Sequence, residues 1–157
     1  MPVDGRASGS STYVGVVKGL LIGEHTRTTL VAFDDRLLFS APAPGFVTKA
    51  RLTAWSKELD EVGERGAHGL LTPEEVVERI PNTFAYHLVY IERATFGRSF
   101  RAVVWGTGKL QFRLAPEAGV HGRSFLVGKK AREPLIQTLT RVLGDRFQNR
   151  FAKELSA

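Results

Sequence analysis

Residues Lys109 to Leu114 alternate without exception: Leu110, Phe112 and Leu114 are apolar, while Lys109, Gln111 and Arg113 are polar. A period of two belongs to a strand with one face buried. Such a strand cannot stand alone, because its apolar face needs a second layer. Six further segments have β-type composition: Tyr13–Ile22, Thr28–Phe33, Arg36–Ser40, Phe84–Arg93, Phe100–Trp105 and Arg123–Val127. Gly23–His25 and Asp34–Asp35 are turn signals between the first three, which therefore read as a meander. Gly15 and Gly19 fall inside the first segment, where glycine marks a bend or a close backbone approach. Seven short antiparallel strands are predicted, and they must fold over as two sheets or close as a barrel.

Two stretches change period. After the breaker Ala41-Pro42-Ala43-Pro44-Gly45, the apolar residues Val47, Leu52, Trp55, Leu59 and Val62 recur at helical spacing, which predicts a helix ending near Gly63–Gly66. A short helix then starts with Thr72 as N-cap, Pro73 in its first turn and Glu75 completing a capping box, and runs to about Arg79 before Pro81. The last element is predicted as a helix from Glu133 to Lys153, with Leu135, Ile136, Leu139, Val142, Leu143, Phe147 and Phe151 on one stripe. Packed over an open corner of the β core, it should bury Leu135, Leu139, Leu143 and Phe147.

A chain of 157 residues has the size of one domain, and it contains no cysteine. That excludes disulfides, a thiol nucleophile, iron–sulfur clusters and cysteine-ligated zinc. No apolar run approaches the ~20 residues of a membrane-spanning helix. The opening residues MPVDGRASGSS lack the apolar stretch of a signal peptide, so a cytoplasmic protein is the expectation. Residues 1–12 are expected to be a disordered leader, and 13–153 one domain carrying a helical insertion at about 46–80. The net charge of +6 is uneven. Residues 1–87 hold 9 Lys/Arg against 11 Asp/Glu, and residues 88–157 hold 13 against 5. A basic half suits an acidic partner: a protein face, an anionic membrane or nucleic acid.

The element order resembles the pleckstrin-homology-like (PH-like) fold, and more narrowly the bacterial PH-like proteins. The residues that carry the resemblance are the lead-in Leu71-Thr72-Pro73-Glu74-Glu75, the aromatic strand Phe84–Ile91, the hairpin Phe100–Leu114, the strand Phe125–Val127, and the helix Leu139–Arg146 with its Leu143–Gly144 pair. The resemblance implies a mainly β fold with α: a seven-stranded antiparallel barrel, or two orthogonal sheets, with a C-terminal capping helix. The insertion after the third strand departs from it. The resemblance also implies a non-enzymatic module that recognises a protein partner or, weakly, an anionic membrane surface, and so a cytoplasmic protein that can sit peripherally at the membrane. Phosphoinositide-binding members carry a basic motif across the first two strands. Here Lys18 and Arg27 are present, but Thr29 stands where the last basic residue would be. The alternatives are an RNA- or single-stranded-DNA-binding β-barrel and a carrier holding a small apolar ligand in the barrel interior.

Residues for catalysis are not found in any recognisable pattern. His25, His68, His87 and His121 are scattered, without metal-ligand spacing, so no metal or other cofactor is expected. No nucleophile elbow and no P-loop occurs, since Val127-Gly128-Lys129-Lys130 lacks both the first glycine and the following Ser/Thr. Asp34–Asp35 suits a turn, and Glu74–Glu75 a helix's first turn. The expectation is a protein that is not an enzyme.

Candidate anion or partner contacts are Lys129, Lys130 and Arg132, the densest basic cluster, placed before a helix N-terminus. In a PH-like barrel, His25, Arg27, His121 and Arg123 would instead lie at the open end, away from that cluster. The tetrapeptide Gly-Arg-Ser-Phe occurs twice, at 97–100 and 122–125, so Arg98 and Arg123 could present matching anion contacts, each opening a strand.

Overall fold

A computed structural model describes residues 11–22, 26–42, 47–80, 82–98 and 108–150. His25, the expected strand Phe100–Trp105, most of the expected leader and the end of the expected last helix lie outside the described residues. The fold is mixed α/β. In chain order it contains β1 (Tyr13–Ile22), β2 (Thr26–Phe33), β3 (Arg36–Ser40), α1 (Lys49–Ala67), α2 (Pro73–Arg79), β4 (Thr83–His87), β5 (Ile91–Arg98), β6 (Gly108–Leu114), β7 (Ser124–Val127), α3 (Arg132–Leu143) and β8 (Phe147–Asn149).

The strands form one hydrogen-bonded sheet in the order β4-β3-β2-β1-β7-β6-β5-β8, rather than two separate sheets. The segment expected as one strand from Phe84 to Arg93 is two. A 3₁₀ turn at Leu88–Tyr90 separates β4, at one edge of the order, from β5, next to the other edge. Arg146 braces that crossing, donating from Nη1 to the carbonyls of Leu88 (2.6 Å) and Ile91 (2.9 Å).

The sheet is rolled. Adjacent strands are spaced about 4.8 Å apart. In a flat sheet β3 and β7, three steps apart, would be about 14 Å from each other. Yet Phe39 of β3 stacks on Phe125 of β7 with ring centroids 4.5 Å apart, and meets Phe112 of β6 edge-on at 5.6 Å. Those rings pack with Leu30, Phe96 and Leu110 in one buried cluster.

The insertion has a structural task. In β2 and β3, Leu30-Val31-Ala32-Phe33 and Leu37-Leu38-Phe39 are buried without alternation, the sign of a sheet covered on both faces. Leu30, Ala32, Leu37 and Phe39 face the rolled interior. Val31, Phe33 and Leu38 pack outward against Leu59 and Val62 of α1 and Val76 of α2. Thr48 caps α1, its hydroxyl accepting from the Arg51 N–H, and Thr72 caps α2 through the Glu75 N–H. The Glu75 carboxylate does not return to the cap. Arg65 and Arg79 hold it instead, and by doing so keep its carboxyl below the ordinary carboxylate range.

The last helix is shorter than its apolar stripe. Leu135, Leu139 and Leu143 are buried as expected. Gly144 then takes a φ of +56° and ends the helix. Phe147 is buried too, but from β8, which pairs parallel to β5. No helix among the described residues is long and apolar enough to cross a membrane.

Candidate functional site

The site begins at a bulge in β1. Val17 pairs with Leu30 and Leu20 with Thr28, so three residue steps on β1 oppose two on β2. Gly19 absorbs the extra residue with a φ of +91°, a conformation that strains any side-chain-bearing residue. Its carbonyl accepts the Gly128 N–H at 3.0 Å, which ties the end of β7 to the middle of β1. A Cβ on Gly19 would stand 3.3 Å from the Ala131 methyl. The close approach expected at Gly19 is thus realised.

Three consequences follow for charge. The bulge turns Lys18 outward, where its Nζ pairs with the Asp60 carboxylate of α1. A 3₁₀ turn, Lys129–Ala131, follows Gly128 directly and exposes Lys129 and Lys130 beside the same stretch of β1. Between α1, β1 and this turn lies a cleft of about 760 Å³, lined by Lys18, Lys129 and Lys130 and floored by apolar residues such as Val16, Val17 and Leu59. Among the described residues, Asp60 is its one carboxylate. Low-dielectric walls around like charges concentrate a positive potential.

The expected distribution of basic residues needs two corrections. Lys129 and Lys130 do not lie at the far end of the fold from Arg27. Gly128 abuts Gly19, and Arg27 pairs with Leu21, so the lysines and Arg27 flank one strand with Lys18 between them. The reason is register: β7 runs antiparallel to β1 and ends beside Leu20, well before β1 begins. Arg132 opens α3 and is half-buried. Nor do Arg98 and Arg123 match. Arg98 ends β5 opposite Gly108, whereas Arg123 precedes β7 beside Phe112, four residues further along β6. The second repeated tetrapeptide leads into β7, while the residues after Arg98 in the first lie outside the described residues.

Arg123 has structural partners. Its guanidinium lies 4.7 Å over the Phe84 ring, and its backbone N–H donates to the Tyr86 hydroxyl at 2.9 Å. Burial pushes the Tyr86 phenol up, opposed by that bond. His121 is an exposed loop residue, and His87 is exposed at the end of β4. His68 ends α1, with its ring nitrogen 2.8 Å from the Glu64 carbonyl. Asp34 and Asp35 hold Thr12 and Ser11, the residues just before β1, to the β2–β3 turn. Among the described residues, no three His, Asp or Glu side chains are grouped to hold a metal.

Sequence reasoning missed Asp60 and α1 as walls of the site. The only local signal was Lys18 beside Gly19, a long cation next to a residue free to bulge. Family models, curated proteins and solved structures were all compared with the chain, and none of them matches it.

Proposed function

We propose that this chain is a non-enzymatic binding module on a PH-like scaffold, and that it holds an acidic segment of a partner protein in the cleft beside β1. What supports the scaffold is the rolled sheet, with β3 facing β6 and β7 across an aromatic core, and α3 lying against β1 and β2. The observation that carries the function is the cleft itself, with three lysines against one carboxylate over an apolar floor.

Its shape favours a protein over a membrane. A planar bilayer meets protruding loops, whereas a recess between a helix and a strand is filled by a protruding segment. Lys129 and Lys130 are exposed, so they also give weak contact with anionic membranes, at about 1 kcal/mol each near such a surface. A single-strand nucleic-acid reading is less favoured. Stacking needs exposed rings; here Phe112 and Phe125 are buried, and Phe84 lies under Arg123.

A photo-crosslinking residue placed at Lys130, and as a control at exposed Arg113 on β6, tests the reading in the native lysate. The expected result is a discrete adduct at position 130 that disappears at high salt and is absent at 113. Equal labelling at both positions, or none at either, contradicts it.

A further inference from the structure

Helix α1 crosses the sheet obliquely. At its C-terminal half it touches β1 so closely that a Cβ on Gly66 would stand 2.6 Å from the Tyr13 ring, and one on Gly63 would stand 3.9 Å from Val16. Its N-terminal half instead reaches β3, where the Trp55 indole N–H donates to the Ser40 hydroxyl at 3.1 Å. Between that N-terminal half and the strand ends Leu20–Leu21 and Arg27–Thr29 the helix leaves a gap. A second cavity of about 340 Å³ opens there.

The lining of this cavity is distinctive. Leu52, Trp55, Ser56 and Leu59, spaced three and four apart, form its roof. Leu21 and Thr29 share the α1-facing side of their strands with Val31, and they form the floor. Lys18 and Arg27 stand at the rim, and among the described residues no carboxylate lines the space. Arg27 is exposed and forms no ion pair among the described residues. The volume falls within the range of small-molecule sites, which combine apolar walls with a few placed polar groups.

We infer that this cavity binds a small amphiphilic anion, a single apolar chain ending in a carboxylate. The chain lies between Leu52, Trp55 and Leu21, and the carboxylate sits at Arg27. This goes beyond the acidic-segment cleft. Arg27 and Thr29 belong to the new cavity alone, and Lys129 and Lys130 to the cleft alone.

The test uses dodecanoate below its micelle concentration, titrated into the full chain by calorimetry, with the Trp55 indole N–H followed by NMR. Saturable one-to-one binding with a shifted indole resonance is expected. Ser56→Trp should fill the cavity and abolish binding at an unchanged melting temperature. Arg27→Ala should weaken binding about fivefold, the size of a single exposed charge contact. Lys129→Ala/Lys130→Ala should bind dodecanoate as the wild type does, which separates this site from the cleft. If Ser56→Trp does not fold, the wild-type indole resonance decides. An indole N–H unmoved at saturating dodecanoate overturns the inference, as does a folded Ser56→Trp that binds normally. Binding to dodecanoate vesicles but not to the free anion also overturns it, since the occupant would then be a membrane surface.

Discussion

A double-mutant cycle on Phe39 and Phe125 tests the rolled sheet. The two rings come from strands three steps apart in the hydrogen-bonding order, yet their centroids are 4.5 Å apart at an interplanar angle of 17°. Phe39→Leu and Phe125→Leu each shrink a fully buried ring, at a cost of roughly 0.5–3 kcal/mol. A stacked pair contributes about 0.5–1.5 kcal/mol beyond its burial. That part is lost in either single variant and cannot be lost twice. The double variant should therefore be less destabilised than the sum of the singles by about 0.5–1.5 kcal/mol. Urea unfolding of the four proteins measures this, with equal m-values confirming that the native folds compare. In a flat sheet the residues would be about 14 Å apart and their effects would add within about 0.5 kcal/mol. Additivity of that kind refutes the rolled arrangement.

Other expectations follow from single contacts. Arg146→Met removes the donor from two carbonyls at the β4–β5 crossing and should cost about 2–3 kcal/mol in urea unfolding. Glu75 is held below the ordinary carboxylate range by Arg65 and Arg79, so its contribution is present above that range and lost as pH falls through it. The stability gap between wild type and Glu75→Gln, measured by denaturation across pH 2–7, should therefore be largest near neutrality and shrink toward acid; a gap constant with pH contradicts the pairing. Truncation before Glu133 removes Leu135, Leu139, Leu143 and Phe147 from the core and should give an insoluble protein. A soluble fragment of residues 1–132 that melts cooperatively shows that α3 is no cap.

Strand and helix identities were legible where local chemistry decided them. The alternation at Lys109–Leu114, the Thr72-Pro73 start and the turn at Asp34–Asp35 all depend on neighbours within a few residues, and all appear as expected. Endings and pairings were less legible. Phe147 follows Leu143 by four residues, so it fits a helical stripe as well as the strand it joins; only the positive φ at Gly144 separates the two. Phe84–Arg93 is apolar on both faces, and the turn inside it depends on the distant Arg146. The burial of β2 and β3 on both sides was written in their unbroken apolar runs, which announce a covering layer on the sheet's second face. The site was legible only in part. Lys129 and Lys130 stand out as a dense pair, but their closeness to Lys18 and Arg27 depends on the β1–β7 register. No local pattern encodes that register.

Amide chemical-shift mapping with an acidic polypeptide, polyglutamate at low salt, tests the central claim most directly. The account expects a saturable set of shifts concentrated at Val16–Gly19, Asp60–Gly63 and Gly128–Ala131, the three segments that wall the cleft. These shifts should collapse when salt is raised to 1 M, where screening acts within about 3 Å. Shifts that gather instead around Ile22, Thr26 and Arg123, or that spread evenly over exposed basic residues such as Arg113 and Arg141, would contradict it.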